Sequence, residues 1–252
     1  MYINEFGNKE APTIILLAPM MVSGSDLYGI MNPYFKRQYH IISPDQGGHG
    51  KAGSYISADA EYQELKTWLI QNNCTKITLL YGASLGAAVA YRLFNDPDFE
   101  AEHAWFDGVA LCRNAGFAEW FMKRMFRSWK KKLEKTHVDA SPFLVKMYGY
   151  DFAKMMTRNF ERITEADIDA ICHACCHYDL RKLTDEEQKK LHLDFGDKDF
   201  DWMYTKRTIP VYMPKAELKL RPGYSHCGYM AAEPKAYVQE IEAFISDRGK
   251  IE

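Results

Sequence analysis

The sequence lacks the features by which several classes of protein are usually recognised. Its 252 residues contain no apolar run approaching the roughly 18 residues that a membrane-spanning helix needs. Residues 1–10 lack the basic-then-apolar layout of a secretory signal peptide. The net charge of −2 provides no basic surface of the kind that bulk nucleic-acid binding requires. We therefore expect a protein that binds neither a membrane nor nucleic acid.

The density of cysteine is also low. Six cysteines in 252 residues are too few for a disulfide framework, which favours a reduced, cytoplasmic location. Residues 172–177, Cys-His-Ala-Cys-Cys-His, resemble a metal cluster at first sight. On a helix, however, His173 and His177 share one face and the cysteines share another, and no second C-x-x-C pair is present to complete four converging ligands. The sequence predicts small buried thiols here and no metal.

The composition is that of an ordinary globular protein, with 47% hydrophobic and 14% aromatic residues. Short and nearly continuous apolar runs alternate with helical patterns in the first half. Such runs suit strands buried on both faces of a parallel sheet. The predicted strands cover residues 14–18, 40–43, 77–81, 109–112, 191–195 and 217–220, and helices are predicted to begin at Asp26, Ser57 and Pro234. Alternation of this kind predicts a doubly wound α/β sheet.

The alternation stops near residue 116. From there to residue 183 the sequence is helical in pattern and rich in aromatic, Met, Lys and Arg residues. Thr164 and Thr184 each begin the pattern of a helix capping box. We therefore predict an α/β core made of residues 1–115 and 184–252, interrupted by a helical insertion of residues 116–183.

The most specific motif is Gly-Ala-Ser-Leu-Gly at residues 82–86, which matches G-x-S-x-G. It follows the predicted strand directly and opens an Ala-rich helical stretch. A sharp strand-to-helix turn of this kind holds the serine on a strained backbone and projects its hydroxyl at the carboxyl edge of the sheet. Gly82 and Gly86 stand where a side chain would clash with neighbouring backbone. Ser84 is therefore the candidate nucleophile.

On these residues the chain resembles the α/β-hydrolase superfamily, in particular serine hydrolases with a helical cap inserted into the core. The resemblance implies a mostly parallel central sheet with flanking helices, and a triad in the order nucleophile, acid, histidine. His226, in the loop before the last helix, matches the position of the catalytic base. Residues 45–50, Asp-Gln-Gly-Gly-His-Gly, are similar to a D-x-x-G-H-G turn that is mainly structural in relatives, so we assign His49 no catalytic role.

Residues 194–201 offer four carboxylates for the triad acid. The family pattern G-x-x-D after this strand runs from Gly196 to Asp199, which makes Asp199 the first choice. Asp197 and Asp201 remain alternatives. The acid must reach His226 from the loop after its strand, because its task is to orient the imidazole and stabilise the imidazolium.

The resemblance also implies an oxyanion hole made of two backbone N–H groups. Leu85, the residue after the nucleophile, supplies one of them. The second comes from the loop after the first buried strand, where relatives often carry His-Gly and this chain has Ala18-Pro19. Since proline has no N–H, we expect Met20 to be the donor.

The insertion is the expected source of specificity, because in this family it covers the active site. Aromatic and Met side chains would form an adaptable apolar pocket. The candidate pocket residues are Met21, Trp120, Phe121, Met125 and Met155. The alternative for each is a place in the core of the cap itself. The basic run at residues 123–135 is predicted to be a solvated helix face, or else a surface that attracts an anionic substrate.

The resemblance implies acyl transfer to Ser84 followed by hydrolysis, with no cofactor and no metal. The first-choice substrate is a small carboxylic ester or thioester. Three alternatives stay open: an acyltransferase, a carbon–carbon bond hydrolase with the same triad, and a slow-turnover binding protein. The expected partner is a small acyl substrate, and the sequence is also compatible with a homodimer.

Overall fold

The structure, a computed structural model, describes residues 1–136 and 138–248. The strands are β1 (Glu5–Phe6), β2 (Thr13–Leu17), β3 (His40–Ile42), β4 (Lys76–Ile77), β5 (Leu79–Ala83), β6 (Glu100–Ala101), β7 (Ala104–Asp107), β8 (Leu191–Gly196) and β9 (Glu217–Arg221). The helices are α1 (Gly24–Met31), α2 (Ala58–Gln71), α3 (Leu85–Phe94), α4 (Gly116–Thr136), α5 (Pro142–Tyr148), α6 (Tyr150–Arg162), α7 (Glu165–Cys176), α8 (Asp185–Lys189), α9 (Phe200–Tyr212), α10 (Gly228–Ala232) and α11 (Pro234–Arg248). No helix of these ranges is both long and apolar enough to cross a membrane.

The main sheet has the strand order β1-β3-β2-β5-β7-β8-β9. Only its edge strand β1 runs antiparallel, to β3, and the other neighbouring pairs within the described ranges are parallel. The prediction of a mostly parallel α/β sheet is confirmed. From β2 the chain passes to β3 on one side and then returns to β5 on the other. The crevice beyond the carboxyl ends of β2 and β5 therefore lies at a switch point, where ligands bind in such sheets.

Most helix starts lie where the sequence predicts them. Ser57 caps α2, and Thr164 and Thr184 form capping boxes at α7 and α8. The start of α1 is different, because Ser23 is the cap and Asp26 completes its capping box from inside the helix. The prediction that Asp26 itself is the cap was wrong, since a Ser/Asp pair three residues apart bonds reciprocally.

The predicted strand at residues 109–112 was also wrong. The strand in this part of the sheet is β7, and Gly108 follows it with a φ of +58° that an extended strand does not adopt. Residues 109–112 are apolar because they are buried, with Val109 and Leu111 fully inaccessible to solvent. They form a loop in which the Leu111 N–H donates to the Thr205 hydroxyl.

The helices α4 to α7 stand between β7 and β8 in the chain and pack on one another. Helix α4 lies against α7, and α5 lies against α6. Residues 177–183, which the predicted insertion also includes, contain no helix or strand. Helix α9, which follows the loop of the four carboxylates, was not predicted, and Pro210 lies inside it.

Candidate active site

Ser84 stands at the turn between β5 and α3. Its backbone has φ +47° and ψ −112°, a left-handed conformation that a non-glycine residue adopts only at a cost. A side chain at Gly86 would lie 2.1 Å from the carbonyl oxygen of Leu17, and one at Gly82 would lie 2.6 Å from the Ala90 methyl group. Both glycines are therefore needed for α3 to approach the sheet. The Ser84 N–H donates to the Asp107 carbonyl at 2.8 Å, which ties the turn to β7.

His226 lies in the loop after β9 and faces Asp199. The Nδ1 atom of His226 is 3.0 Å and 3.1 Å from the two carboxylate oxygens of Asp199. Asp199 is buried and caps α9, where it accepts the Asp201 N–H at 2.9 Å. Burial opposes protonation of the imidazole, but the charge of Asp199 outweighs it and raises the pKa of His226 well above its usual value. Asp199 therefore orients the ring through Nδ1 and leaves Nε2 for a reacting group.

The other three carboxylates of residues 194–201 have different surroundings. Asp194 is buried against the Arg221 guanidinium, whose Nε donates at 2.9 Å. Asp197 is exposed and accepts the Gly223 N–H at 2.8 Å. Asp201 has an oxygen 3.5 Å from Nδ1 of His226, and burial together with the charge of Asp199 raises the pKa of Asp201 to about 7. The structure thus brings Asp199 and, less closely, Asp201 to the imidazole.

Two further residues hold His226, and no motif in the sequence identified either of them. A side chain at Gly108 would lie 2.8 Å from the imidazole Cε1, so the ring packs directly on the backbone after β7. The Tyr148 hydroxyl, at the end of α5, donates to the His226 carbonyl at 2.8 Å. The histidine loop is therefore fixed both by the core sheet and by a helix of the insertion.

The loop after β2 carries the predicted second oxyanion donor. The Val22 N–H donates to the Pro19 carbonyl at 3.2 Å, and Met21 adopts a φ of +70°. The Met21 N–H donates to Nε2 of His49 at 2.9 Å. Within the described ranges the N–H of Met20 has no acceptor in the protein. Met20 is therefore the residue of this turn whose N–H is not used within the protein.

Both backbone polar groups of Met21, its N–H and its carbonyl, form hydrogen bonds with side chains. His49 uses its other ring nitrogen to donate to the Gly47 carbonyl at 2.9 Å, and burial lowers the pKa of His49, which favours the neutral ring that these two bonds require. The buried amide of Asn159, on α6, donates to the Met21 carbonyl at 3.1 Å and to Asp26 at 2.8 Å. The structural role expected for His49 is thus a contact with the loop after β2, and the insertion supplies a second contact.

A cavity of ≈ 710 Å³ brings these groups together. Ser84, Asp199 and His226 lie on its wall with Pro19, Met20 and Met21. The rest of the wall is mostly apolar and comes largely from the insertion; it includes Phe121, Met122, Met125, Phe126, Trp129, Leu133, Phe143, Leu144, Met147, Tyr148, Phe152, Met156 and Ile171. Three of the pocket residues expected from the sequence, Met21, Phe121 and Met125, line this cavity.

Trp120 and Met155 lie elsewhere. Trp120 is 58% exposed and contacts Phe117 on the outer surface of α4. Met155 lines a separate groove together with Lys154 and Arg158 of α6. The reason is helical phase, because residues four apart share a face of a helix while adjacent residues do not. Phe121 and Met125 lie one turn apart on the face of α4 that borders the cavity, where they remain 48% and 42% exposed.

Among the described residues, two groups place three metal-ligand side chains within 4.8 Å of one another. One group is Asp199, Asp201 and His226, which is the histidine–carboxylate pair already described. The other is Glu119, His173 and His177, where α4 meets α7. The predicted buried thiols are present: Cys172, Cys175 and Cys176 are free and buried.

Comparison with known proteins supports the architecture. No protein-family model matches the chain, and no curated protein matches it. A structure from a study of carboxylesterases of Nitrososphaera gargenis has a TM-score of 0.74 at 15% identity, covering 99% of this chain and 95% of its own. An α/β-hydrolase enzyme from a deep-sea metagenome library gives 0.74 at 14%, covering 100% and 94%. A bromoperoxidase of Bacillus anthracis gives 0.73 at 16%, covering 97% and 95%. At these identities the likeness shows the fold.

Proposed function

We propose that this chain, which has the α/β-hydrolase fold, is a serine hydrolase that cleaves carboxylic esters or thioesters through an acyl-enzyme on Ser84. One observation carries the proposal. The strained elbow of Ser84 and the bonded pair of His226 and Asp199 lie on the wall of one cavity. A serine, a histidine and an acid that share a crevice with open backbone N–H groups are the parts that acyl transfer needs.

In the proposed reaction each group has one task. His226 takes the proton of the Ser84 hydroxyl through Nε2, while the serine oxygen forms a bond to the substrate carbonyl carbon. Asp199 stabilises the imidazolium that results. The negative oxygen of the tetrahedral intermediate accepts from the N–H groups of Leu85 and Met20. The leaving alcohol or thiol then takes the proton from His226, and a water molecule activated by the same imidazole releases the acid.

In the described ranges no hydrogen bond joins the Ser84 hydroxyl to the imidazole of His226. Contacts of this kind are commonly long without substrate and shorten in the reactive complex. We infer that binding of the acyl group closes this gap. Tyr148 is the residue of the insertion best placed to couple substrate binding to a movement of His226, because its hydroxyl donates to the carbonyl of His226.

The shape of the cavity indicates the substrate class. Its wall on α4 runs from Phe121 to Thr136, which at 1.5 Å per residue is a length of about 22 Å. Tyr148, at one end of α5, contacts His226, and Phe143, at the other end of α5, packs against Trp129. The wall beyond the catalytic groups is mostly apolar, although Lys132 and Thr136 also line it. We propose a substrate with an elongated apolar acyl or alcohol group, larger than an acetate ester.

A p-nitrophenyl ester series of increasing acyl length tests both parts of the proposal. Turnover should rise from acetate to longer chains and should disappear in Ser84→Ala, because the nucleophile is lost. The exposed Ser54 provides the matched control, since Ser54→Ala removes the same hydroxyl outside the cavity. Full turnover in Ser84→Ala would refute the acyl-enzyme. Preferential transfer of the acyl group to an added alcohol would instead assign an acyltransferase.

A further inference from the structure

A cluster of two imidazoles and a carboxylate lies where α4 and α7 pack together, and none of its members lines the cavity. Nδ1 of His173 is 3.3 Å from one oxygen of Glu119, and Nε2 of His177 is 2.7 Å from the other. The two rings are stacked with their centroids 4.3 Å apart. Neither histidine takes part in the proposed hydrolysis, so the cluster is a candidate for a separate role.

We propose that Glu119, His173 and His177 bind a divalent transition metal of the zinc class and thereby join α4 to α7. Two histidines one helical turn apart present their nitrogens on one face, the arrangement by which metal-binding helices hold zinc. The donor set of two imidazoles and one carboxylate is the kind that zinc accepts in open sites. The ligand atoms lie within 4.8 Å of one another. Since two ligands each about 2 Å from an ion lie at most about 4 Å apart, side-chain movements of less than about 1 Å would complete the site.

The Glu119 carboxylate has a third partner, Lys123, with which a metal ion would have to compete. The ammonium of Lys123, one turn along α4, forms an ion pair with the same carboxylate. A metal ion must displace this ammonium or share the carboxylate with it, and the two positive charges repel each other. The Lys123 side chain is a flexible four-carbon chain that can withdraw into solvent. Removal of its charge should therefore strengthen metal binding, which a purely structural ion-pair network does not predict.

The cysteines of the same helix do not belong to this site. Cys172 and Cys175 are buried, whereas His173 is exposed and His177 is partly exposed. The proposed ion is thus held by nitrogen and oxygen only, with at least one position open to water.

The location predicts a mechanical effect as well as binding. Phe121, two residues after Glu119, lines the substrate cavity. An ion that links Glu119 to α7 would hold this end of α4 in place. Bound metal should therefore raise the temperature of unfolding of the whole chain, because a ligand that binds only the folded form stabilises it.

The test is calorimetric titration of Zn²⁺ into the full chain after removal of metal with a chelator, with Co²⁺ as a spectroscopic probe. We expect one ion per chain and visible Co²⁺ bands without the near-ultraviolet band of a thiolate ligand. Glu119→Gln, His173→Ala and His177→Ala should each weaken binding at least about tenfold. Lys123→Met should tighten it. Glu165→Gln is the matched control, because it removes a carboxylate from α7 outside the cluster.

Three results would overturn the proposal. The first is no heat and no thermal stabilisation at millimolar Zn²⁺. The second is binding that persists unchanged in the double variant His173→Ala/His177→Ala, which would place the ion elsewhere, for example at Asp199 and His226. The third is a thiolate band with Co²⁺. If the histidine variants fail to fold, Glu119→Gln keeps the test valid, because glutamine retains the length of the side chain and loses only the charge.

Discussion

The replacement Gly108→Ala tests how the fold positions the catalytic base. Gly108 follows β7 with φ +58°, and an added methyl carbon would lie 2.8 Å from Cε1 and 2.9 Å from Nδ1 of His226. Ordinary contacts of this kind begin at 3.4 Å, so the imidazole must move by about 0.6 Å or more. The movement is directed away from Gly108, and it disturbs the pairing with Asp199 as well as the approach to Ser84.

The size of the effect follows from that displacement. A misplacement of about 1 Å in a reacting group can cost on the order of 100-fold in rate. We therefore expect kcat/KM to fall by about 10- to 100-fold on the best p-nitrophenyl ester. An alanine in the left-handed region also costs about 1–2 kcal/mol of stability, which thermal unfolding followed by circular dichroism would detect.

Gly149 separates the two effects. It has a similar φ of +81°, but an added methyl group would meet nothing within 4 Å. With ψ 168°, Gly149 lies in a region that is nearly restricted to glycine, so Gly149→Ala should lose at least as much stability as Gly108→Ala while keeping most of its kcat/KM. An undiminished kcat/KM in Gly108→Ala would refute the claim that His226 is held against this backbone. Equal losses in the two variants would attribute the effect to strain alone.

Three further predictions concern the same groups. Asp199→Asn should lower kcat by about 10⁴-fold, as loss of the triad acid does. The kcat of Asp197→Asn should stay within a few-fold of that of the unchanged protein. The reverse order of effects would identify Asp197 as the acid. The value of kcat/KM should rise as the pH passes through the raised pKa of His226, because only the neutral ring accepts the serine proton. The usual pKa of histidine is about 6.5. A kcat/KM that is already constant from about pH 6.5 upward would contradict the role assigned to His226. Asn159→Ala should lower kcat about tenfold with little change in KM, because it removes the hydrogen bond that holds the Met21 carbonyl next to the proposed oxyanion donor. The effect should be smaller than the loss of the donor itself, which costs about 100- to 1000-fold. A change in KM alone would contradict a positioning role for Asn159.

The elevated pKa of His226 also affects stability with a definite sign. A group whose folded pKa is raised binds its proton more tightly in the folded form than in the unfolded chain. Its contribution to the free energy of unfolding is therefore complete below about pH 6.5 and is lost as the pH rises through the folded value. Unfolding titrations of the protein and of His226→Gln should converge at alkaline pH.

The central residues of the candidate site were predictable because their signals are local. The two glycines around Ser84 are required by contacts with Leu17 and Ala90 that any strand-to-helix turn of this shape creates. The spacing from Gly196 to Asp199 likewise reflects one short loop, in which the carbonyl of Gly196 accepts the Asp199 N–H. Signals of this kind are written within a few residues of the side chain that they position.

The supporting contacts were not predictable because they join distant segments. Gly108 touches His226 across more than a hundred residues, and a single glycine after an apolar strand is common in turns that form no part of a site. Asn159 contacts Met21 from α6, and no sequence pattern predicts where this helix packs on the core. The phase of a helix explains why Trp120 and Met155 are not among the residues that line the cavity, since a cluster of apolar residues does not by itself define which face borders it.

The most direct test of the proposed function is covalent labelling with a fluorophosphonate, followed by mass spectrometry of the intact chain and of its peptides. The proposal predicts one adduct per chain, located on Ser84, with labelling abolished in Ser84→Ala and strongly slowed in His226→Ala. An adduct on a different residue, or a folded protein that takes up no label, would contradict it.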